Sequence, residues 1–140
     1  MPESGGSRLR SIPVRVESAT GNVLPILHEI RHALDRLVAD GSEGIIDLRA
    51  IPLAPGEEDR ILEVLGSGEV RAEFESLGRS EILESSYAGC WIVTHYDPAG
   101  AIKARFIEVT RIPEILKSQS ADIADGLERL IARLSVTDTA

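Results

Sequence analysis

Val70-Arg-Ala-Glu-Phe-Glu75 alternates apolar and charged side chains one for one. A period of two belongs to a strand with one wet face, because successive side chains point to opposite sides of the pleat. Upstream of the Gly66-Ser-Gly68 step the apolar residues recur near every 3.6 positions instead, so the chain passes there from helix to sheet. Downstream, Ile82 to Ser86, Cys90 to Tyr96 and Ile102 to Val109 continue the strand pattern, and Asp97-Pro-Ala-Gly100 supplies a turn between the last two. Residues 69–109 are therefore predicted to form an antiparallel meander.

Working outward, Val23, Leu27, Ile30, Leu34, Leu37 and Val38 form one stripe at helical spacing, with Asn22 placed as N-cap, Pro25 in the tolerant first turn and Gly41 just past the end. Ile45-Ile-Asp-Leu-Arg-Ala-Ile51 reads as a partly buried strand closed by Pro52. Pro55 followed by Glu57, Glu58 and Asp59 opens a second helix, since acids favour the positive end of the helix dipole. Ile61, Leu62 and Leu65 give that helix an apolar face, and Gly66 ends it. After Pro113, the spacing of Ile123, Leu127, Leu130, Ile131 and Leu134 predicts a closing amphipathic helix, capped near Ser120. The fold class is α+β: a mostly antiparallel sheet with helices packed on one face. Ile12, Val14 and Val16 allow a short edge strand, weakened by Pro13. Residues 1–11 and 136–140 read as disordered ends of a single domain over 12–135.

Composition narrows the function classes. The chain has 140 residues, 43% hydrophobic and 27% charged, which is the balance of one soluble globular domain. A net charge of −8 with only 15 basic residues argues against nucleic acid and against an anionic membrane surface; an acidic domain more readily meets a protein. Cys90 is the single cysteine, so no intramolecular disulfide and no four-cysteine metal site can form, which fits a reducing, cytoplasmic setting. The start lacks an apolar signal region, and no stretch approaches the ~20 apolar residues of a membrane span. Direct membrane association is not expected.

Two patterns point to chemistry. His28-Glu-Ile-Arg-His32 satisfies H-E-x-x-H, in which two histidines one turn apart bind zinc and the glutamate acts as general base. Both histidines lie about 140 to 180° from the centre of the apolar stripe, on the solvent side, whereas a catalytic zinc helix must line a cleft. His95, the remaining histidine, is the candidate third ligand for a small zinc-dependent hydrolase. Cys90 could act as a nucleophile with His95 as its base, but an odd separation on a strand puts the two on opposite faces, roughly 16 Å apart. A structural thiol is the simpler reading. Trp91 shares a strand face with Val93 and His95 and is either core or an interface anchor. Asp47 and Arg49, two apart, share a strand face and could pair or offer charged contacts. Leu65-Gly-Ser-Gly-Glu-Val70 lacks the third glycine and the strand-before-helix order of a dinucleotide fingerprint.

Five stretches in fixed order carry a wider resemblance: Glu29-Ile-Arg-His-Ala-Leu34, Ile46-Asp-Leu-Arg-Ala-Ile-Pro52, Leu65-Gly-Ser-Gly-Glu-Val70, Leu77-Gly-Arg-Ser-Glu-Ile82 and Tyr87-Ala-Gly-Cys-Trp91. Together they resemble the C-terminal domain of the HupH/HyaF family of hydrogenase expression proteins, over roughly residues 22–134. The resemblance implies a noncatalytic accessory protein, a chaperone or scaffold for nickel-iron hydrogenase, with no cofactor of its own. Its implied partners are the immature iron-sulfur small subunit or other maturation factors, with a homodimer also open. Residues expected to face a partner are Asp47, Arg49, Glu69, Tyr87 and Trp91, all within those stretches. Members of the family are commonly longer, so the chain reads either as a stand-alone relative or as a fragment of a longer protein.

Overall fold

The computed structural model describes residues 21–75 and 78–139. Helix α1 spans Val23–Asp40 and ends at Gly41, whose left-handed backbone (φ 79°) returns its N–H to the carbonyl of Leu37. Strand β1 (Gly44–Asp47) leads through a 3₁₀ turn at Leu48–Ala50 to helix α2, Glu57–Leu65. Strands β2 (Arg71–Glu75), β3 (Arg79–Glu84), β4 (Cys90–Tyr96) and β5 (Ile102–Val109) follow, and helix α3 (Ser120–Thr139) comes last.

The sheet order is β1-β5-β4-β3-β2 with antiparallel pairing throughout. The meander of β2 to β5 is thus as the alternation predicts, and β1 returns to the free side of β5. Opposed pairs fix which residues share a face. Ile92 faces Ile107, Ile107 faces Ile46, and Cys90 faces Val109. That side meets Val23, Ile26, Ile30 and Ala33 of α1 and Ile61 and Leu65 of α2, all buried. Each of the Val, Ile and Leu side chains contributes about 1.5–3 kcal/mol by leaving water, and Ala33 less. On the reverse side Ile82, Trp91 and Val93 form a second, smaller core with Phe106 and Leu116 against it.

Four local readings are revised. The run Ile45–Ile51 is not one strand: β1 stops at Asp47, whose carboxylate accepts the Arg49 N–H at 3.0 Å and turns the chain into the 3₁₀ segment. Asp47 and Arg49 therefore do not share a strand face. Strand β4 has no wet face over Cys90–Thr94, because cores lie on both sides of it. Asn22 stands at the N-cap of α1 without a side-chain cap bond; its backbone N–H is taken by the Glu57 carboxylate instead. Finally, the stripe on α3 is present but unpacked, with Ile123, Leu127, Leu130, Ile131 and Leu134 all 52–59% exposed. The two helices on the sheet are α1 and α2; α3 runs on to Thr139, past the point where the sequence predicts a disordered tail. The possible edge strand at Ile12 to Val16 lies outside the described residues. Among the described residues no helix is long and apolar enough to cross a membrane.

Candidate functional site: an apolar groove between two helices

The chain's apolar residues are not all spent on the two cores. On α1, Leu24, Leu27 and Leu34 lie to one side of the buried Ile26–Ile30–Ala33 line, and they form the wall of an open groove of about 360 Å³. Val64 and Leu65 of α2 form the opposite wall, and Tyr87 closes one end with half its surface still exposed (52%). His28 and Arg31 stand on the rim; the lining is otherwise almost wholly apolar.

Tyr87 is held there by backbone that only small residues permit. Gly68 donates to the Glu84 carbonyl at 2.7 Å, and a Cβ on Gly68 would stand 2.4 Å from the Ser85 carbonyl oxygen. Gly66 ends α2 at φ 67°, and Ser86 donates its N–H to the Leu65 carbonyl at 2.8 Å. The Glu84 carboxylate accepts the N–H groups of Glu69 and Val70 at 3.1 and 3.3 Å. Ser85, buried, accepts the Tyr87 N–H and donates to its carbonyl, each at 3.0 Å. Gly89 (φ 88°) lets the loop pass under Leu34 and Leu37 of α1, which would be 3.5 and 3.3 Å from a Cβ there. The end of α2, the Gly-Ser-Gly connection and the β3–β4 loop therefore form one fastened unit beside the groove.

The rim is basic. Arg31 donates from Nε to His28 Nδ1 at 3.3 Å, and its terminal nitrogen lies 3.1 Å from His32 Nε2. The guanidinium thus sits between the two rings, against Nδ1 of His28 and Nε2 of His32, and a zinc ion shared by them would meet its positive charge. His95 is on the sheet face turned away from α1: its Nδ1 is 2.7 Å from the Ser80 hydroxyl and its ring meets Phe106 edge-on at 6.0 Å. The three histidines do not converge. Among the described residues no group of three His, Cys, Asp or Glu side chains is placed to hold a metal ion. Cys90 is fully buried, and burial pushes its thiol above the ordinary value despite a hydrogen bond with Ser85. It is a poor thiolate and sits in the core facing α1.

Of the five residues expected to face a partner, only Tyr87 lines the groove. Trp91 is buried (6% exposed) and donates its indole N–H to the Thr110 carbonyl at 3.0 Å, so it fills the second core and offers no surface. Arg49 pairs with Glu58 at 3.4 Å, and Glu58 is also held by Arg105 at 2.8 Å. Asp47 and Glu69 are exposed. Sequence reasoning missed Leu24 and Val64, which had been left out of both apolar stripes.

The pattern described as HupH hydrogenase expression protein, C-terminal conserved region, matches residues 20–137. The chain belongs to the HupH family. Every groove residue falls within that match. A solved HupH-family structure, the hydrogenase expression protein HupH from Thiobacillus denitrificans, superposes with a TM-score of 0.79 at 38% identity, over 83% of this chain and 97% of that one. The hydrogenase expression/formation protein HoxQ of Azotobacter vinelandii is 28% identical over 111 residues, 78% of this chain. That of Cupriavidus necator is 25% identical over 116 residues, 83% of this chain. The chain spans 39% of the length of the Azotobacter relative and 41% of the Cupriavidus one.

Proposed function

We propose that this HupH-family chain is a noncatalytic accessory factor in the formation of nickel-iron hydrogenase, acting in the cytoplasm. It holds an apolar segment of the immature iron-sulfur small subunit in the groove between α1 and α2. The observation that carries this reading is the groove: open, walled by Leu24, Leu27, Leu34 and Val64, and flanked by an exposed tyrosine. Such a lining takes up an apolar helix or extended segment through area burial, with rim charges setting its orientation. The membership of the HupH family supports a hydrogenase as the system served. A subunit not yet joined to its partner exposes apolar surface that drives aggregation, and covering it reversibly is the work of a holding factor. Reversibility follows from the modest size of the groove, which leaves the segment free to leave when the final partner competes. Other maturation factors are the alternative occupants.

The test is co-purification from anaerobically grown cells that are making hydrogenase, using the tagged chain as bait. Recovery of the small subunit in its immature form, reduced by Leu24→Glu, supports the proposal. Recovery that is indifferent to Leu24→Glu, or recovery of no hydrogenase component, contradicts it.

A further inference from the structure

Helix α3 and the groove are each unpartnered among the described residues, and their lengths match. The stripe from Ile123 to Leu134 runs about 16 Å along the helix axis, and the groove wall from Leu24 to Leu34 runs about 15 Å along α1. Every residue of that stripe is more than half exposed, so α3 does not fill the groove of its own chain. The charges match as well. Arg31 on the groove rim contacts only two imidazoles and has no carboxylate partner among the described residues. Glu128 flanks the stripe between Leu127 and Ile131 and has no basic partner among them either, whereas neighbouring Asp125 is taken by Arg129 at 3.0 Å.

We infer that the chain forms a two-fold dimer by helix exchange, with α3 of each copy seated in the α1–α2 groove of the other and Glu128 set against Arg31. A single seat is a small interface. Two-fold symmetry doubles it, because each copy both gives a helix and receives one, and this brings the buried surface toward the ~1,600 Å² of a stable pair. Docking of an amphipathic helix into an apolar groove is also the ordinary way to satisfy a stripe that five large residues keep in water. The dimer is a closed state: a client reaches the groove only by displacing α3. The exchange itself rests on the fit of helix to groove and not on the identity of any client.

The test is light scattering on the purified full chain at micromolar concentration. The wild type is expected at twice 15.1 kDa. Ile131→Glu on the helix and Tyr87→Glu on the groove each reduce it to the single mass, with unchanged far-ultraviolet circular dichroism showing that both remain folded. Mixing the two variants and concentrating them gives a heterodimer weaker than the wild-type dimer, since one intact helix and one intact groove leave a single seat. A monomeric wild type overturns the inference. So does a dimer that survives Tyr87→Glu, which would mean that the α3 helices pair with each other, or a concentrated mixture that associates no more than either variant alone. Client capture reads separately: Ile131→Glu is expected to bind the small subunit at least as well as the wild type, because its groove is intact and uncovered.

Discussion

The Glu57 carboxylate accepts the backbone N–H of Asn22 at 3.1 Å, so the first turn of α2 fastens the first turn of α1 across 35 residues of chain. Its other oxygen accepts the Ala54 N–H at 2.8 Å, and the side chain is 1% exposed. A buried carboxylate is tolerated only when its lone pairs are taken, and here it fixes the angle between the two helices that wall the groove. Glu57→Ala leaves two partly buried donors without this acceptor and is expected to cost about 2 kcal/mol, with Glu57→Gln losing less. Urea denaturation of the two variants measures the difference.

Gly68→Ala places a methyl group against the Ser85 carbonyl, a backbone atom that cannot swing aside. The strand entry must shift, with an expected loss of about 1–3 kcal/mol. Because the same segment positions Tyr87, thermal denaturation is expected to show lower stability and client binding is expected to weaken together with it.

Glu108 is held above the ordinary carboxylate range, first by burial and then by the nearby Glu43, which also accepts the Thr110 hydroxyl at 2.6 Å. The protonated form is therefore favoured by the fold. Stability is unaffected while both states are protonated. It falls as pH rises from the ordinary carboxylate value to the raised one, because the unfolded chain ionises first. Above that window the penalty stays constant. Glu108→Gln is expected to raise the melting temperature at pH 7 and to leave it unchanged near ~pH 3, below both ionisations. An equal rise at both pH values would assign the gain to packing.

His28 and His32 are exposed and lie on either side of Arg31. His28→Ala and His32→Ala are expected to change stability by no more than ~0.5 kcal/mol, as surface changes do. Equimolar zinc is expected to leave the melting temperature of the wild type unmoved, since only a ligand that binds the native state raises it. A rise abolished by His28→Ala would restore the hydrolase reading.

The sheet was legible because β2 and the first half of β5 carry period-two alternation, and because β4, a short apolar run, is followed by a turn with Asp97, Pro98 and Gly100 at fixed offsets. The limits of β4 and β5 could be read to the residue. The second core was not, since alternation marks a wet face only when nothing covers it, and Trp91 and Val93 are as apolar as the residues opposite. The groove escaped for a related reason. Buried and groove-lining residues of α1, from Ala33 round to Leu24, cover an arc of about 180° at 100° per residue, wider than the ~100° one core needs. That excess was the available signal, and a single stripe through Leu27, Leu34 and Leu37 concealed it. The turn at Asp47 depends on a side-chain bond to the backbone two residues on, which an apolar run does not announce. The zinc-protease pattern was correctly read as lying on a solvent-facing part of the helix, and what Arg31 does between the two rings needed coordinates.

The most direct measurement is the affinity of the purified immature small subunit for the wild type, for Leu24→Glu and for Ile131→Glu, under anaerobic conditions. The account predicts a loss of tenfold or more for Leu24→Glu, about 1.4 kcal/mol, because a charge then stands in the groove. Ile131→Glu is predicted to bind at least as tightly as the wild type. Equal affinity for the wild type and Leu24→Glu, or no binding by any of the three, would contradict it.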